Sequence, residues 1–206
     1  MTSFEPRISS QDHLLDPQNS ALIIIDYQPT QVNSINSMNR ADLIDNIVLV
    51  AKLALNYKLP VILSTVNVAS GANQDTIPVL REILRGVPAY DRTAINAWED
   101  REFHQAVKDT GRFNLIMTAL WTEACLSFPA LDALKEGYQV YPVVDAVGGT
   151  SVLAHETALR RMEQAGARLT SLAQIACELQ RDWNRKATVP GFVGVMREAG
   201  IFLKLS

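Results

Sequence analysis

Short apolar runs that alternate with helix-period segments restrict the fold of this chain more than any other feature. The first run, ALIIID at 21–26, is apolar almost without interruption, as in a strand buried on both faces of a parallel sheet. The segment 39–58 after it repeats its apolar residues at the spacing of one helix face, and Asn39 precedes it as a cap. The run LPVILSTV at 59–66 is then a second strand.

The same alternation continues along the chain. Further strands are expected at 89–92, 113–120, 138–145 and 167–172, the last as an edge strand, and helices at 76–86, 97–111, 123–137 and 151–166. Strands and helices in this alternation form a parallel sheet with right-handed crossovers and helices on both faces. We therefore predict an α/β protein with three layers, α-β-α, and six parallel strands.

Length and composition are consistent with one domain. The 206 residues, 48% of them hydrophobic, allow one substantial core. We predict an N-terminal tail at 1–18 and a single domain at 19–206. Within its last part, 173–206, one stretch has a helical pattern, and the apolar stretches after it need a partner surface on the domain itself or on a neighbouring subunit.

Charge and cysteine content exclude several classes of protein. A net charge of −3 gives no basic surface for nucleic acid, and no apolar run reaches the roughly 18 residues of a membrane helix. The polar N-terminus lacks the apolar stretch of a signal peptide, which together with only two cysteines indicates a reduced, cytoplasmic protein without disulfides. Because Cys125 and Cys177 are isolated, they do not form a paired zinc-binding motif.

Three reactive side chains fall at predicted strand ends, where open parallel sheets bind ligands. Asp26 ends the first strand, Arg92 ends the third, and Cys125 begins the helix after the fourth. A thiol in a first helical turn faces unpaired N–H groups and a positive dipole end, and a nearby arginine favours the thiolate as well. With Asp26 as proton acceptor and backbone N–H groups at an oxyanion, this set suffices for acyl transfer through a thioester without a metal.

Each of these residues also has an ordinary structural interpretation. A free cysteine in an α/β core is usually a small buried hydrophobe, Asp26 can serve a turn or a cap, and Arg92 can be an ion-pair partner. Asp145, at the end of the fifth strand, is interpreted as serving the turn before the next helix. The histidines lie in the tail or inside helices, away from strand ends: His13, His104 and His155.

Several segments resemble the isochorismatase-like cysteine hydrolases, a superfamily that includes nicotinamidases and other small-amide hydrolases. The similarity runs from about Asn19 to Trp183 through ALIIIDYQ with its D-x-Q pattern, LPVILST, INAWED, ALWTEACLSFPALDALKEGYQVYPVVDA and HETALRRMEQAGARL. A T-E-x-C element correctly spaced from a strand-end D-x-Q is specific for this superfamily. The NAWED and CELQRDW elements look most like an uncharacterised, octamer-forming subgroup, which implies a homo-oligomer, either a tetramer or an octamer.

The resemblance implies a Rossmann-like sheet of order 3-2-1-4-5-6 and a catalytic triad. Asp26 matches the aspartate, Cys125 matches the nucleophile, and Arg92 is the candidate for the basic member, where other relatives carry lysine. Arginine stays charged and can orient a carbonyl, but it cannot act as a titrating acid. The resemblance further implies a cis peptide bond between Leu120 and Trp121 and an oxyanion hole formed by the backbone N–H groups of Trp121 and Cys125.

The resemblance also bears on cofactor and substrate. Nicotinamidases bind a metal through a D-x-H motif and a further histidine after the second strand, but STVNVASGANQD has no histidine, so we expect no metal and no cofactor. Cys125 favours amide chemistry, because isochorismatase itself hydrolyses a vinyl ether and lacks the cysteine. We predict a metal-independent cysteine hydrolase that cleaves a small carboxamide or imide C–N bond. Its candidate pocket residues are Tyr27, Gln28, Asn96, Trp98, Thr122 and Glu123.

Two other functions remain open at this point. In a redox-sensing protein Cys125 is oxidised reversibly, although the chain lacks a resolving cysteine at close spacing. In a catalytically silent assembly scaffold the fold is kept without turnover. Core or interface packing is likewise the alternative to a pocket role for the aromatic residues Tyr27, Trp98 and Trp121.

Overall fold

The computed structural model describes residues 7–8 and 11–202. Parts of the predicted N-terminal tail and of the C-terminal stretch IFLKL lie outside the described residues. One sheet of five parallel strands, in the order β3-β2-β1-β4-β5, forms the centre of the molecule. The strands are β1 Ser20–Ile25, β2 Val61–Val66, β3 Ala89–Arg92, β4 Asn114–Ala119 and β5 Gln139–Pro142.

Helices cover both faces of this sheet. They are α1 Pro29–Asn33, α2 Arg40–Asn56, α3 Pro78–Ile83, α4 Arg101–Asp109, α5 Ser127–Lys135, α6 Val152–Gln164, α7 Leu172–Gln180 and α8 Val189–Glu198. Alternate residues of β1 point into two separate cores: Leu22 and Ile24 pack with α2, α3, α7 and α8, whereas Ile23 and Ile25 pack with α4, α5 and α6. The predicted three-layer α/β architecture is therefore confirmed.

The sixth strand, predicted at 167–172, is reduced to a short pairing beside β5, in which the N–H groups of Arg168 and Thr170 donate to the carbonyls of Val140 and Pro142 at 2.9 and 3.0 Å. Thr170 makes an isolated parallel bridge to Val143, and α7 begins at Leu172 with the side chain of Ser171 as its cap. The chain thus enters a helix before it can pair further with β5. The predicted number of strands was too high by one, and the order of the remaining five agrees with the resemblance.

Two predicted helices begin with a different turn. The segment predicted as one helix at 97–111 starts as a 3-10 turn, Ala97–Glu99, and α4 follows after Asp100, whose side chain caps it. The segment predicted at 123–137 starts as a π-helical turn, Thr122–Leu126, which leads directly into α5. We call Thr122–Leu126 the nucleophile turn, because it contains Cys125, the residue that the sequence predicts as the nucleophile.

Both ends of the described chain pack on the domain. Leucine, phenylalanine and valine side chains of α7 and α8 share a core with α2. Leu15 is fully buried in that core, and its backbone N–H donates to Glu178 at 2.7 Å. Arg181 pairs with Asp12 at 2.7 Å. Across the described ranges, none of the helices is both long enough and apolar enough to pass through a bilayer.

Candidate active site

Asp26 lies at the edge of the sheet, directly after β1. Its backbone N–H donates to the carbonyl of Ser64 within β2, and its side chain is fully buried. The residue has φ of +62°, a left-handed conformation that aspartate tolerates better than most residues. The chain thereby turns away from the sheet immediately after the carboxylate.

Arg92, the last residue of β3, meets this carboxylate with a two-point contact. Its two terminal nitrogens donate to the two oxygens of Asp26, each at 2.7 Å, and neither side chain is exposed. The guanidinium also donates to Ser64 Oγ at 3.1 Å and to the carbonyls of Thr65 and Ile95 at 3.0 and 3.1 Å. Such fork-shaped pairing fixes both groups in position and orientation.

Cys125 lies in the nucleophile turn, next to the same carboxylate. Its thiol is hydrogen-bonded to Asp26, the backbone N–H of Trp121 is hydrogen-bonded to its sulfur, and it is 8% exposed. The Leu120–Trp121 peptide bond before the turn is cis. The Trp121 carbonyl accepts hydrogen bonds from the backbone N–H groups of Ala124 and Leu126, at 3.2 and 3.1 Å, so neither bond uses the amide of Cys125.

The protonation state of the thiol differs from the expectation. Burial raises the pKa of Cys125 to about 12, and the charge of Asp26 and its hydrogen bond act in the same direction. Arg92 and the Trp121 N–H lower this pKa by less. The expected thiolate in the free protein was therefore wrong, because Arg92 directs its donors at Asp26 and the cysteine is buried inside a π-helical turn.

Tyr27 and Gln28, two of the candidate pocket residues, bond to neighbouring backbone. Tyr27 is fully buried, and its hydroxyl donates to the carbonyl of Ala146. The amide of Gln28 bonds to both backbone groups of Val66, at 2.9 and 3.1 Å, and donates to the carbonyl of Gln74 at 2.6 Å. Gln28 therefore fastens the loop 67–75 to the end of β1.

Asn96 and Trp98 lie against α5. Asn96 caps the 3-10 turn, accepting from the N–H of Trp98 at 3.1 Å, and donates to Asp132 at 2.7 Å. Trp98 is 6% exposed and donates its indole N–H to Glu136 at 2.9 Å. Both side chains thus have their polar groups bonded within the protein.

Thr122 and Glu123, the remaining candidates, bond to α6 and to the residues just before it. Thr122 Oγ1 lies 2.8 Å from His155 Nδ1. One oxygen of Glu123 accepts from the backbone and the hydroxyl of Thr150, at 3.0 and 2.6 Å. His155 lies in the first turn of α6 and reaches the nucleophile turn, although the sequence pattern placed it away from strand ends.

The structure thus brings Asp26, Arg92, Cys125 and the Trp121 amide together at one edge of the sheet. Sequence reasoning missed Ser64 and His155 as neighbours of this site. Ser64 had a signal, since it is a polar residue inside the apolar run of β2. Helical periodicity gave no signal that His155 would lie near the site.

The loop after β2 does not offer the ligands of the nicotinamidase metal site. Its carboxylate, Asp75, lies 3.5 Å from Arg81, and Asp91 from β3 accepts from the amides of Val68 and Ala69 at 3.0 and 2.8 Å. Burial raises the pKa of Asp91, but these amide bonds, the hydrogen bond from Thr65 and the charge of Arg92 together lower it by more. Among the described residues no three histidine, cysteine, aspartate or glutamate side chains cluster as metal ligands. The residues present therefore do not fit that metal.

Comparisons with known proteins agree on one family. A family model described as Isochorismatase domain matches residues 20–174. The Escherichia coli protein "Probable hydrolase YcaC" is 35% identical over 170 residues, which are 82% of this chain and 81% of that protein.

Solved structures of two similar proteins have the same fold. YcaC from Pseudomonas aeruginosa, solved with hexane-2,5-diol and covalent acrylamide, has a TM-score of 0.86 at 32% identity and covers 91% of this chain and 92% of its own. YcaC from Escherichia coli, described as an octameric hydrolase of unknown specificity, has a TM-score of 0.85 at 32% identity, with coverage of 95% and 93%. The chain belongs to the isochorismatase family of hydrolases.

Proposed function

We propose that this protein is a metal-independent cysteine hydrolase that cleaves the C–N bond of a small carboxamide or imide through a thioester. The observation that carries the proposal is the hydrogen bond between the Cys125 thiol and Asp26, whose carboxylate is held by Arg92. A nucleophile in contact with a base that a third group orients is the arrangement required for covalent catalysis.

The first step transfers the thiol proton while the sulfur attacks. Because the pKa of Cys125 is raised to about 12, the thiol is protonated at neutral pH and needs a base at the moment of attack. Asp26 takes this proton, the S–C bond forms, and the carbonyl oxygen becomes an oxyanion. Asp26 then gives the proton to the departing nitrogen as the C–N bond breaks.

The second step consumes water. Asp26 takes a proton from a water molecule, whose oxygen attacks the thioester carbonyl. The C–S bond breaks, and the sulfur recovers the proton from Asp26. An amide and one water are thereby converted into a carboxylic acid and an amine, or ammonia for a primary carboxamide, with Cys125 and Asp26 restored.

Backbone amides support the oxyanion in this mechanism. The N–H of Trp121 is already directed at the sulfur, which places it near any carbonyl that bonds to that atom. The amide of Cys125 is the second donor. Arg92 orients Asp26 and, since guanidinium does not titrate, takes no part in proton transfer.

The substrate in this proposal is a small molecule. Only 8% of Cys125 is exposed, which restricts access to compact ligands. The acrylamide bound covalently to the Pseudomonas relative is itself a small carboxamide, so compounds of that size are the first to test.

The Escherichia coli relative is an octamer, and we propose a tetramer or an octamer for this chain.

A redox-sensing role for Cys125 is disfavoured by the same geometry. Sensor cysteines are exposed and have a low pKa, whereas this thiol is buried and its pKa is raised.

A panel of small primary amides and cyclic imides tests the proposal through product release: ammonia from a primary amide, or the ring-opened amic acid from a cyclic imide. We expect release by the wild-type protein and by Cys177→Ala, whose thiol is exposed on α7, and none by Cys125→Ala. Equal release by Cys125→Ala would rule out the mechanism. No release with any amide or imide would favour the silent scaffold.

A further inference from the structure

Residues of the segment 148–155, which leads into α6, make hydrogen bonds to the nucleophile turn. The backbone N–H of Thr122 donates to the carbonyl of Gly148 at 2.9 Å, and the Thr122 hydroxyl bonds to His155 at 2.8 Å. Glu123 adds two hydrogen bonds to Thr150. Both polar side chains before the cysteine thus bond to this segment.

The two glycines of this segment allow the close approach. A Cβ added at Gly149 would lie 2.5 Å from the carboxylate of Glu123 and 3.1 Å from the Cβ of His155. A Cβ at Gly148 would lie 2.8 Å from Ile35 on the other side. The sequence VGGT at 147–150 has no phosphate-binding pattern, and this packing accounts for its two glycines.

His155 faces the turn as a neutral side chain. It is half-buried, and burial lowers its pKa, while the charges of Glu123 and Glu156 raise it by less. A neutral imidazole has one donor and one acceptor nitrogen, so its Nδ1 either accepts from or donates to the Thr122 hydroxyl. In both cases one atom of α6 fixes the χ1 rotamer of a fully buried residue three positions before the nucleophile.

We propose that His155 is a positioning residue for Cys125, acting through its hydrogen bond to Thr122, with Gly148 and Gly149 permitting the contact. This inference rests on the proposed function for its catalytic consequence. Its geometric consequence does not depend on that function: the hydrogen bond between Thr122 and His155 holds the Cys125 thiol against Asp26. Loss of the bond lets the turn shift, and misplacement of a reacting group by about 1 Å can lower a rate about 100-fold.

Four variants separate the hydrogen bond from the bulk of the side chains. Thr122→Val removes the hydroxyl at nearly constant shape, whereas Thr122→Ser keeps it. His155→Phe removes the ring nitrogens, whereas His155→Asn keeps a polar atom at the position of Nδ1. The matched control is His104→Asn on α4, where the imidazole bonds to Glu136.

Two readouts separate the state of the thiol from catalytic turnover. The first is the rate of Cys125 alkylation by iodoacetamide as a function of pH, followed by peptide mass spectrometry with the exposed Cys177 as internal reference. The second is turnover of p-nitrophenyl acetate, which reports acyl transfer to and from the thiol. Thermal unfolding of each variant is recorded in parallel.

We expect Thr122→Val and His155→Phe to shift the pH midpoint of Cys125 alkylation downward, because the thiol moves away from the Asp26 carboxylate. We expect turnover by these variants to fall about 10- to 100-fold with little change in KM. Thr122→Ser and His155→Asn are expected to restore both readouts, and His104→Asn to leave them unchanged.

The outcomes distinguish this inference from the proposed function. A shifted alkylation midpoint without any hydrolase activity in the wild type would support the positioning role and contradict the enzyme. An unshifted midpoint and wild-type turnover in folded Thr122→Val and His155→Phe would overturn the positioning role. The same holds if these variants change only the unfolding temperature, because His155 would then stabilise α6 without acting on Cys125.

Discussion

Arg92 donates from both terminal nitrogens to the two carboxylate oxygens of Asp26, at 2.7 Å each, with neither side chain exposed. Burial alone would lower the pKa of Arg92, but the hydrogen bonds and the charge of Asp26 raise it above its ordinary value. The pair is therefore a fixed buried charge pair beside Cys125, and most of the testable behaviour of the site follows from it.

Removal of the arginine is expected to destabilise the fold. Arg92→Met leaves the Asp26 charge buried and unpaired, which typically costs about 3–5 kcal/mol in the free energy of unfolding. Arg92→Lys keeps the charge but loses the two-point contact. Its free energy of unfolding should lie between those of the wild type and Arg92→Met. Urea unfolding measures these changes, and the control is Arg85→Met, whose pair with Glu82 is exposed and should be worth less than about 1 kcal/mol. Equal costs at both positions would show that the buried pair is not a stabilising contact.

Asp26→Asn is expected to make the thiol more reactive and the enzyme inactive. Asparagine tolerates the left-handed backbone at this position, and the change removes the charge that helps to raise the pKa of Cys125, while Arg92 still lowers it. Alkylation by iodoacetamide near neutral pH should therefore accelerate, and amide turnover should fall at least about 100-fold because the proton acceptor is lost. Slower alkylation together with unchanged turnover would contradict both roles of Asp26.

The raised pKa of Cys125 predicts a stability change at alkaline pH. The thiol pKa is about 12 in the folded protein and near its ordinary value of 9.0 in the unfolded chain, so between these values the folded state binds more protons. The free energy of unfolding is thus expected to fall as pH rises above about 9. Because buried tyrosines act in the same direction, the informative quantity is the difference between wild type and Cys125→Ala. A pH-independent difference would contradict the raised pKa.

Gly149→Ala is expected to destabilise the protein although the backbone there needs no unusual φ. The added methyl group meets Glu123 and His155, and overpacking of this kind typically costs about 1–3 kcal/mol. The matched control is Gly194→Ala in α8, where nothing lies within 4 Å of the added Cβ and helix propensity favours alanine. Thermal unfolding compares the two variants, and equal stability would show that segment 148–155 is not closely packed on the nucleophile turn.

Sequence patterns predicted that Asp26, Arg92 and Cys125 lie close together, because parallel strands end at a common edge. Asp26, Arg92 and Cys125 follow three different strands of one sheet, so their proximity follows from the strand order. The state of the thiol did not follow, since it depends on where Arg92 directs its donors. His155 was missed because helical periodicity does not tell which turn of α6 reaches the sheet edge.

The candidate pocket residues show a second limit of sequence reasoning. Closeness to a strand end predicted that Gln28 and Asn96 line a pocket, but it does not reveal whether a side-chain amide is already bonded. Both amides are bonded within the protein, to backbone groups and, for Asn96, also to Asp132. The sixth strand failed for a similar reason, because the cap at Ser171 starts α7 where the apolar pattern allowed a strand.

The central claim is that Cys125 forms a thioester after Asp26 accepts its proton. The most direct measurement is intact-mass spectrometry of the protein quenched in acid during turnover of a pooled small-amide library, followed by peptide mapping. We expect an added acyl mass on Cys125 in the wild type, and none in Cys125→Ala or Asp26→Asn. Amide turnover with no acyl adduct on Cys125, or with an adduct on another residue, would contradict the account.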